Sequence, residues 1–135
     1  MADAGDTGWR RGSCWRRWDP HIHTPGTLKN NQFGEDWDGY IERINSARPT
    51  VVALGVTDYF SLRGYKELRR RWSDGELPNV ELVFPNIELR LATQTGKGVG
   101  VNAHLLVRPD DDDHVERMEE KLRRFKFIYD EEEFT

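Results

Sequence analysis

Two hydrophobic rhythms alternate along this chain. Trp37, Tyr40, Ile41 and Ile44 recur at i, i+3, i+4 and i+7, so the spacing predicts an amphipathic helix from 37 to about 47, with Pro49 as a stop just beyond it. TVVALGVTDYF, residues 50–60, is a continuous apolar run and predicts a strand covered on both faces. Ser61 is placed to cap a second helix, whose apolar stripe is Leu62, Tyr65, Leu68 and Trp72. NVELVFPNIELRL (79–91) predicts a third strand interrupted by Pro85, TQTGKGVG (93–100) a loop, and VNAHLLVRP (101–109) a fourth strand ended by Pro109. DDDDHVERMEEKLRRF (110–125) then predicts a third helix, with a capping-box pattern at Asp113 and Glu116 and a stripe of Val115, Met118, Leu122 and Phe125. Ahead of all these, CWRRWDPHIHT (14–24) contains a short strand with Pro20 near its end, and residues 24–36 read as a loop.

The order β-α-β-α-β-β-α lacks a clear crossover between the third and fourth strands. Strands alternating with helices predict an α/β fold with parallel pairing. A closed (β/α) barrel takes about 250 residues, so the expectation is an open sheet or the first half of a barrel.

Composition narrows this only a little. The 135 residues suit one domain, 36% of them are hydrophobic and 33% charged. A net charge of -4 gives no global attraction to nucleic acid. The single cysteine, Cys14, excludes an internal disulfide framework and is expected to be a small buried residue. Residues 1–13 are rich in Gly, Asp and Arg and are expected to be a loose, flexible lead to a domain spanning 14–135. They contain no apolar signal region, and no apolar run approaches the roughly 20 residues of a spanning helix. The expectation is a cytoplasmic protein with no membrane partner.

The chemistry-bearing residues gather at strand ends. His21 and His23 close the first strand, Asp58 the second, Glu88 lies near the end of the third, and His104 is on the fourth. Side chains alternate along an extended backbone, so a His-x-His pair turns both imidazoles to one face. Imidazoles with a carboxylate suit Zn, Mn or Fe. Each residue alone has a plainer reading. A His-x-His pair is common, Asp58 could cap the following helix, Glu88 could pair with Arg90 in solvent, and His104 could be a hydrogen-bonded core histidine. Four candidates on four strands make the metal site the better reading.

DPHIHT, GVTDYF, NIELRL and NAHLLV, in that order over residues 15–107, resemble the motifs of the PHP (polymerase and histidinol phosphatase) phosphoesterases. The opening GSCWRRWDPHIHTPGT is also similar to PHP modules at the N-termini of large bacterial ATPases linked to DNA repair or phage defence. The resemblance implies a distorted (β/α)7 barrel of parallel strands, of which this chain would be the N-terminal part, incomplete at its C-terminus. It implies metal ligation by His21, His23 and Glu88, with Glu88 bridging to a second ion held by His104. The histidine of the usual Thr-Asp-His motif is replaced by Tyr59, and the position several residues after His-x-His falls near Lys29, so a third ion would need Asp58 or Asp36. Asp58 and Asp19 could instead orient the imidazoles. The late Asp and His motifs of the family have no counterpart before Thr135, and His114 is a poor substitute.

The implied activity is metal-dependent hydrolysis of a phosphate ester, with Glu88 and Asp58 as catalytic candidates and one or two divalent ions as cofactors. The ATPase-linked likeness implies DNA or a nucleotide as substrate and an ATPase domain as partner. No nucleotide-binding Gly-x-x-x-x-Gly-Lys-Ser/Thr loop is present. The alternatives are a non-catalytic, degenerate PHP module used for docking or regulation, and an amidohydrolase-type metal hydrolase. Trp15, Arg16 and Arg17 could stack bases and hold phosphates, although an edge strand whose tryptophans pack on the sheet is the simpler expectation.

Overall fold

The computed structural model describes residues 15–27, 31–59, 61–124, 127–129 and 132–134. The expectations for residues 1–13, Cys14, Lys29 and Phe125 lie outside the described residues, as does the side chain of Tyr59.

Among the described residues the order is β1 (Arg17–Ile22), α1 (Trp37–Ser46), β2 (Val51–Tyr59), α2 (Arg63–Ser73), β3 (Leu82–Gln94), β4 (Gly100–Leu106), α3 (His114–Arg123), β5 (Phe127–Tyr129) and β6 (Glu132–Phe134). The first four strands form one sheet in the order β1-β2-β3-β4, and β5 pairs only with β6. β1 and β3 run parallel to β2, each reached through a helix, whereas β4 runs antiparallel to β3.

That last pairing corrects the expected half of a parallel (β/α)7 barrel. A parallel return takes a dozen or more residues, and only residues 95–99 separate β3 from β4. They close a tight hairpin. Thr95 N–H donates to Val99 O at 2.8 Å, Gly98 N–H donates to Thr95 O at 2.8 Å, and Gly98 adopts φ 73°. The sheet is therefore mixed, and the missing crossover helix decides its topology.

The helices share one apolar core with the sheet. Tyr40 and Ile41 of α1, Tyr65 and Leu68 of α2, and Met118 of α3 pack with Leu54, Val56, Val83 and Ile87. Burying a side chain of this size contributes roughly 1.5–3 kcal/mol. Strand alternation then turns Asn86 and Glu88 to the opposite face, away from the helices. No helix among the described residues is long and apolar enough to cross a membrane.

Helix starts differ in detail from their sequence signals. Asp36 caps α1 by accepting from Gly39 N–H at 2.9 Å. Ser61 Oγ accepts from Arg63 N–H at 3.1 Å, but the N-cap position is Leu62. Asp113 occupies the N-cap of α3 without capping it; its carboxylate lies 3.7 Å from Arg117 instead.

β1 is an edge strand, but its tryptophans do not pack on the sheet. Trp15, ahead of the strand, is 97% exposed, and Trp18 is 58% exposed where it pairs with Ala53 on the face that carries no helix. Past Asp19 the ladder slips at Pro20, which has no N–H to offer. The Pro20 carbonyl settles against Gly55, where a Cβ would come within 2.3 Å of its oxygen.

Candidate metal centre

The end of β1, the middle of β3 and the middle of β4 meet on the helix-free face. His21 Nε2 lies 3.3 Å from His23 Nε2 and 3.7 Å from Glu88 Oε2, and ligand atoms of these three residues all fall within 4.8 Å of one another. Two ligands each about 2.0–2.1 Å from an ion at a tetrahedral angle lie about 3.3 Å apart, so this spacing suits one shared cation. The His104 ring stands 4.8 Å from that of His21. Its place comes from register rather than from a strand end: His104 is the direct partner of Glu88 across the β3–β4 hairpin.

The donor chemistry also suits a cation. Glu88 is 3% exposed, and its Oε1 accepts from Asn102 Nδ2 at 2.6 Å. Its Oε2 is buried with no hydrogen-bond donor among the described residues. A buried carboxylate oxygen without a donor is costly. An N–H···N bond between two imidazoles would explain the 3.3 Å separation but would leave that oxygen unanswered; a cation answers both. Burial, then the neighbouring His23 and His104, hold the pKa of His21 below its ordinary value against the opposing pull of Glu88 and Asp19. The neutral ring is the form that ligates.

Asp58 stands apart from this group. It shares the helix-facing side of β2 with Leu54 and Val56, and it is buried. Thr24 Oγ1 donates to its two oxygens at 3.0 and 3.3 Å, and the backbone N–H groups of Thr24 and Gly64 also donate to it. Burial pushes its pKa up, and these hydrogen bonds pull against that. Asp58 thus ties the end of β1 to the first turn of α2, and the structure does not bring it among the ligand atoms. Asp36, the other suggested stand-in ligand, is occupied as the α1 cap. Asp19 Oδ1 accepts from the His21 backbone N–H at 3.4 Å, so it steadies the strand end.

Beside the histidines, a cavity of 320 Å³ is lined by Asp19, His21, His23, Thr24, Gln32 and Tyr40. The buried Tyr40 hydroxyl has no partner among the described residues. Burial, with Asp58 and Asp19 adding, raises its pKa, so it stays a phenol. A larger cleft of 650 Å³ flanks the start of α2 and is lined by Asp58, Arg63, Lys66 and Arg70 among others. Lys66 and Arg70 are paired there with Glu119 and Glu67. The ligand geometry marks the site near His21 in preference to this larger opening.

The remaining sequence candidates are engaged in structure. Arg16 pairs with Glu81, and Arg17 Nη1 donates to the Pro49 carbonyl at 3.1 Å. His114 is buried, with Nε2 2.6 Å from Arg69 Nη1 and 2.7 Å from the Tyr65 hydroxyl, and Nδ1 2.5 Å from the Asp111 carbonyl. It is a core histidine. The sequence reading missed Asn86 and Asn102. Their period-2 relation to Glu88 and His104 was the signal that could have found them.

No family model, no curated protein and no solved structure matches the chain.

Proposed function

We propose that the chain carries a metal-dependent phosphoesterase site of the PHP type, with His21, His23 and Glu88 holding a divalent ion. One observation carries this reading: a buried, donor-less carboxylate oxygen 3.7 Å from an imidazole that is itself 3.3 Å from a second imidazole. Zn, Mn or Fe suits this donor set, and His104 is the neighbour from which a second ion would draw a ligand. The likeness rests on these residues and their order, not on the sheet, which is mixed rather than wholly parallel.

When bound, a divalent ion supplies charge stabilisation to a phosphoryl oxygen and acidifies water. The chain's own residues do the rest. Glu88 keeps one oxygen committed to Asn102 and one directed at the histidines. Tyr40 offers a proton-bearing hydroxyl at the wall of the adjoining cavity. A phosphate ester is the proposed substrate class; DNA or a nucleotide, and an ATPase partner, follow only from the likeness to ATPase-linked modules.

A non-catalytic docking module is the second reading, favoured by the exposure of Leu105 and Leu106 on the edge strand β4. Calorimetric titration with zinc and with manganese, followed by hydrolysis of bis(p-nitrophenyl) phosphate, separates the readings. Binding lost in His21→Ala and Glu88→Gln, with metal-dependent turnover, supports the enzyme. Binding without turnover supports the docking module. Absence of binding, or binding indifferent to both substitutions, overturns the metal centre.

A further inference from the structure

Two asparagines bracket the Glu88–His104 pair. In the β3–β4 ladder Glu88 faces His104, Asn86 faces Leu106 and Arg90 faces Asn102. Each asparagine therefore sits diagonal to one member of the pair and reaches it. Asn102 Nδ2 lies 2.6 Å from Glu88 Oε1, and Asn86 Oδ1 lies 3.1 Å from His104 Nδ1.

Asn86 makes a second hydrogen bond, and that bond decides the proton. Its Nδ2 donates to the Pro20 carbonyl at 2.7 Å. A carbonyl oxygen only accepts, so the NH2 end of the amide must face Pro20 and the oxygen end must face His104. The amide oxygen also only accepts. The hydrogen between Asn86 and His104 therefore belongs to His104 Nδ1, and in the neutral ring the lone pair is left on Nε2. Asn86 is 3% exposed, and turning its amide over would set its oxygen against the Pro20 carbonyl and break both bonds.

We infer that Asn86 is a positioning residue that fixes neutral His104 as its Nδ1–H tautomer. The ring packed beside His21 then has Nε2 as its acceptor nitrogen, the form needed to ligate a cation or take a proton. The Pro20 slip in β1, accommodated by Gly55, supplies the carbonyl that orients the amide. The tautomer follows from hydrogen bonding alone; its consequence for ion binding rests on the proposed metal centre.

Imidazole nitrogen-15 correlation spectra of the metal-free chain test the inference at roughly pH 9, where histidine is neutral. His104 is assigned by comparison with His104→Gln. The wild type should show a protonated-type shift at Nδ1 and a lone-pair-type shift at Nε2. Asn86→Leu removes the acceptor and should move His104 toward the Nε2–H pattern. Asn86→Asp keeps an acceptor toward the ring and should preserve the Nδ1–H pattern while losing the donor to Pro20. A wild-type His104 in the Nε2–H form overturns the inference, and needs no variant to fold. A folded Asn86→Leu chain with an unchanged His104 pattern also overturns it. Zinc titration of the same samples reads the consequence separately, with an expected loss of about tenfold or more in affinity for Asn86→Leu. The Nδ1–H pattern in a chain that binds no zinc would uphold the tautomer and remove the metal centre instead.

Discussion

Glu88 and His104 face one another as direct partners in the antiparallel ladder of β3 and β4, and Asn102 engages only one of the two Glu88 oxygens. The other oxygen is buried without a donor. In a metal-free chain such an atom destabilises by about 1–3 kcal/mol. Glu88→Gln keeps an oxygen for Asn102 and replaces the donor-less one with an NH2 group. The metal-free variant should therefore melt a few degrees above the wild type, since about 1 kcal/mol moves Tm by roughly 2–8 °C over domains of about 60–250 residues. It should also lose the stabilisation that zinc confers. Thermal unfolding with and without zinc checks both halves, and a metal-free variant that melts lower would show that Glu88 is fully satisfied by the protein.

Gly64 marks the closest approach between α2 and the end of β1. A Cβ there would lie 1.9 Å from Thr24 Oγ1 and 2.2 Å from Asp58 Oδ2. In an open helix, Gly→Ala would gain up to about 1 kcal/mol of helix propensity. Here the methyl group must displace a buried hydrogen-bonded pair, and overpacking of that kind costs typically 1–3 kcal/mol. Gly64→Ala should lower the denaturation midpoint, and a stabilised variant would contradict the Thr24–Asp58–Gly64 clamp.

Asp58 tests whether that clamp and the metal centre are separate. Asp58→Ala removes the acceptor for the Gly64 and Thr24 N–H groups and for the Thr24 hydroxyl. Loss of a helix-start acceptor costs about 0.5–2 kcal/mol. Zinc affinity should change much less than in His21→Ala, because Asp58 lies outside the group of ligand atoms. Parallel calorimetry and urea unfolding decide it. Equal losses of zinc affinity in both variants would make Asp58 a ligand after all.

The helices were legible because their apolar residues recur at the helical period, and β2 and β3 because their apolar runs are continuous and bounded by turn residues. Tyr40 and Ile41, and Tyr65 and Leu68, are buried where their spacing predicted. The direction of β4 was less legible. The apolar content of VNAHLLV is the same in either direction, and only the short 95–99 connection carried the antiparallel signal. In the site, His21, His23, Glu88 and His104 could be read as residue types on strands. The separation of Asp58 from Glu88 depends on register: Asp58 pairs with Ile87, one residue off, and so faces the other side of the sheet. Asn86 and Asn102 carry no motif. Period 2 puts them on the same face as Glu88 and His104, but which partner each one reaches comes from cross-strand diagonals that exist only once β3 and β4 are paired.

Acid sensitivity should be readable at Glu67 on the outer side of α2. The hydrogen bond from Arg70 holds its carboxyl down at about 2, opposed by partial burial and reinforced by Arg71, against an ordinary value of 4.5. A carboxylate with a depressed folded pKa contributes stability that is fully present above its unfolded pKa. That contribution is lost as pH falls from about 4.5 toward 2. Glu67 is about a third exposed, so solvent screening limits the effect to about 0.5–1 kcal/mol. Glu67→Gln should therefore lower stability at neutral pH by that amount, and its deficit against the wild type should shrink steadily below about pH 4.5. Other titrating groups are common to both chains and cancel in the difference. High salt should also narrow the gap at neutral pH, since the Arg70 and Arg71 partners reach solvent. Urea unfolding of the two chains from pH 7 to pH 2.5 gives the curve, and a deficit that stays constant over this range would show that Glu67 acts through packing rather than charge.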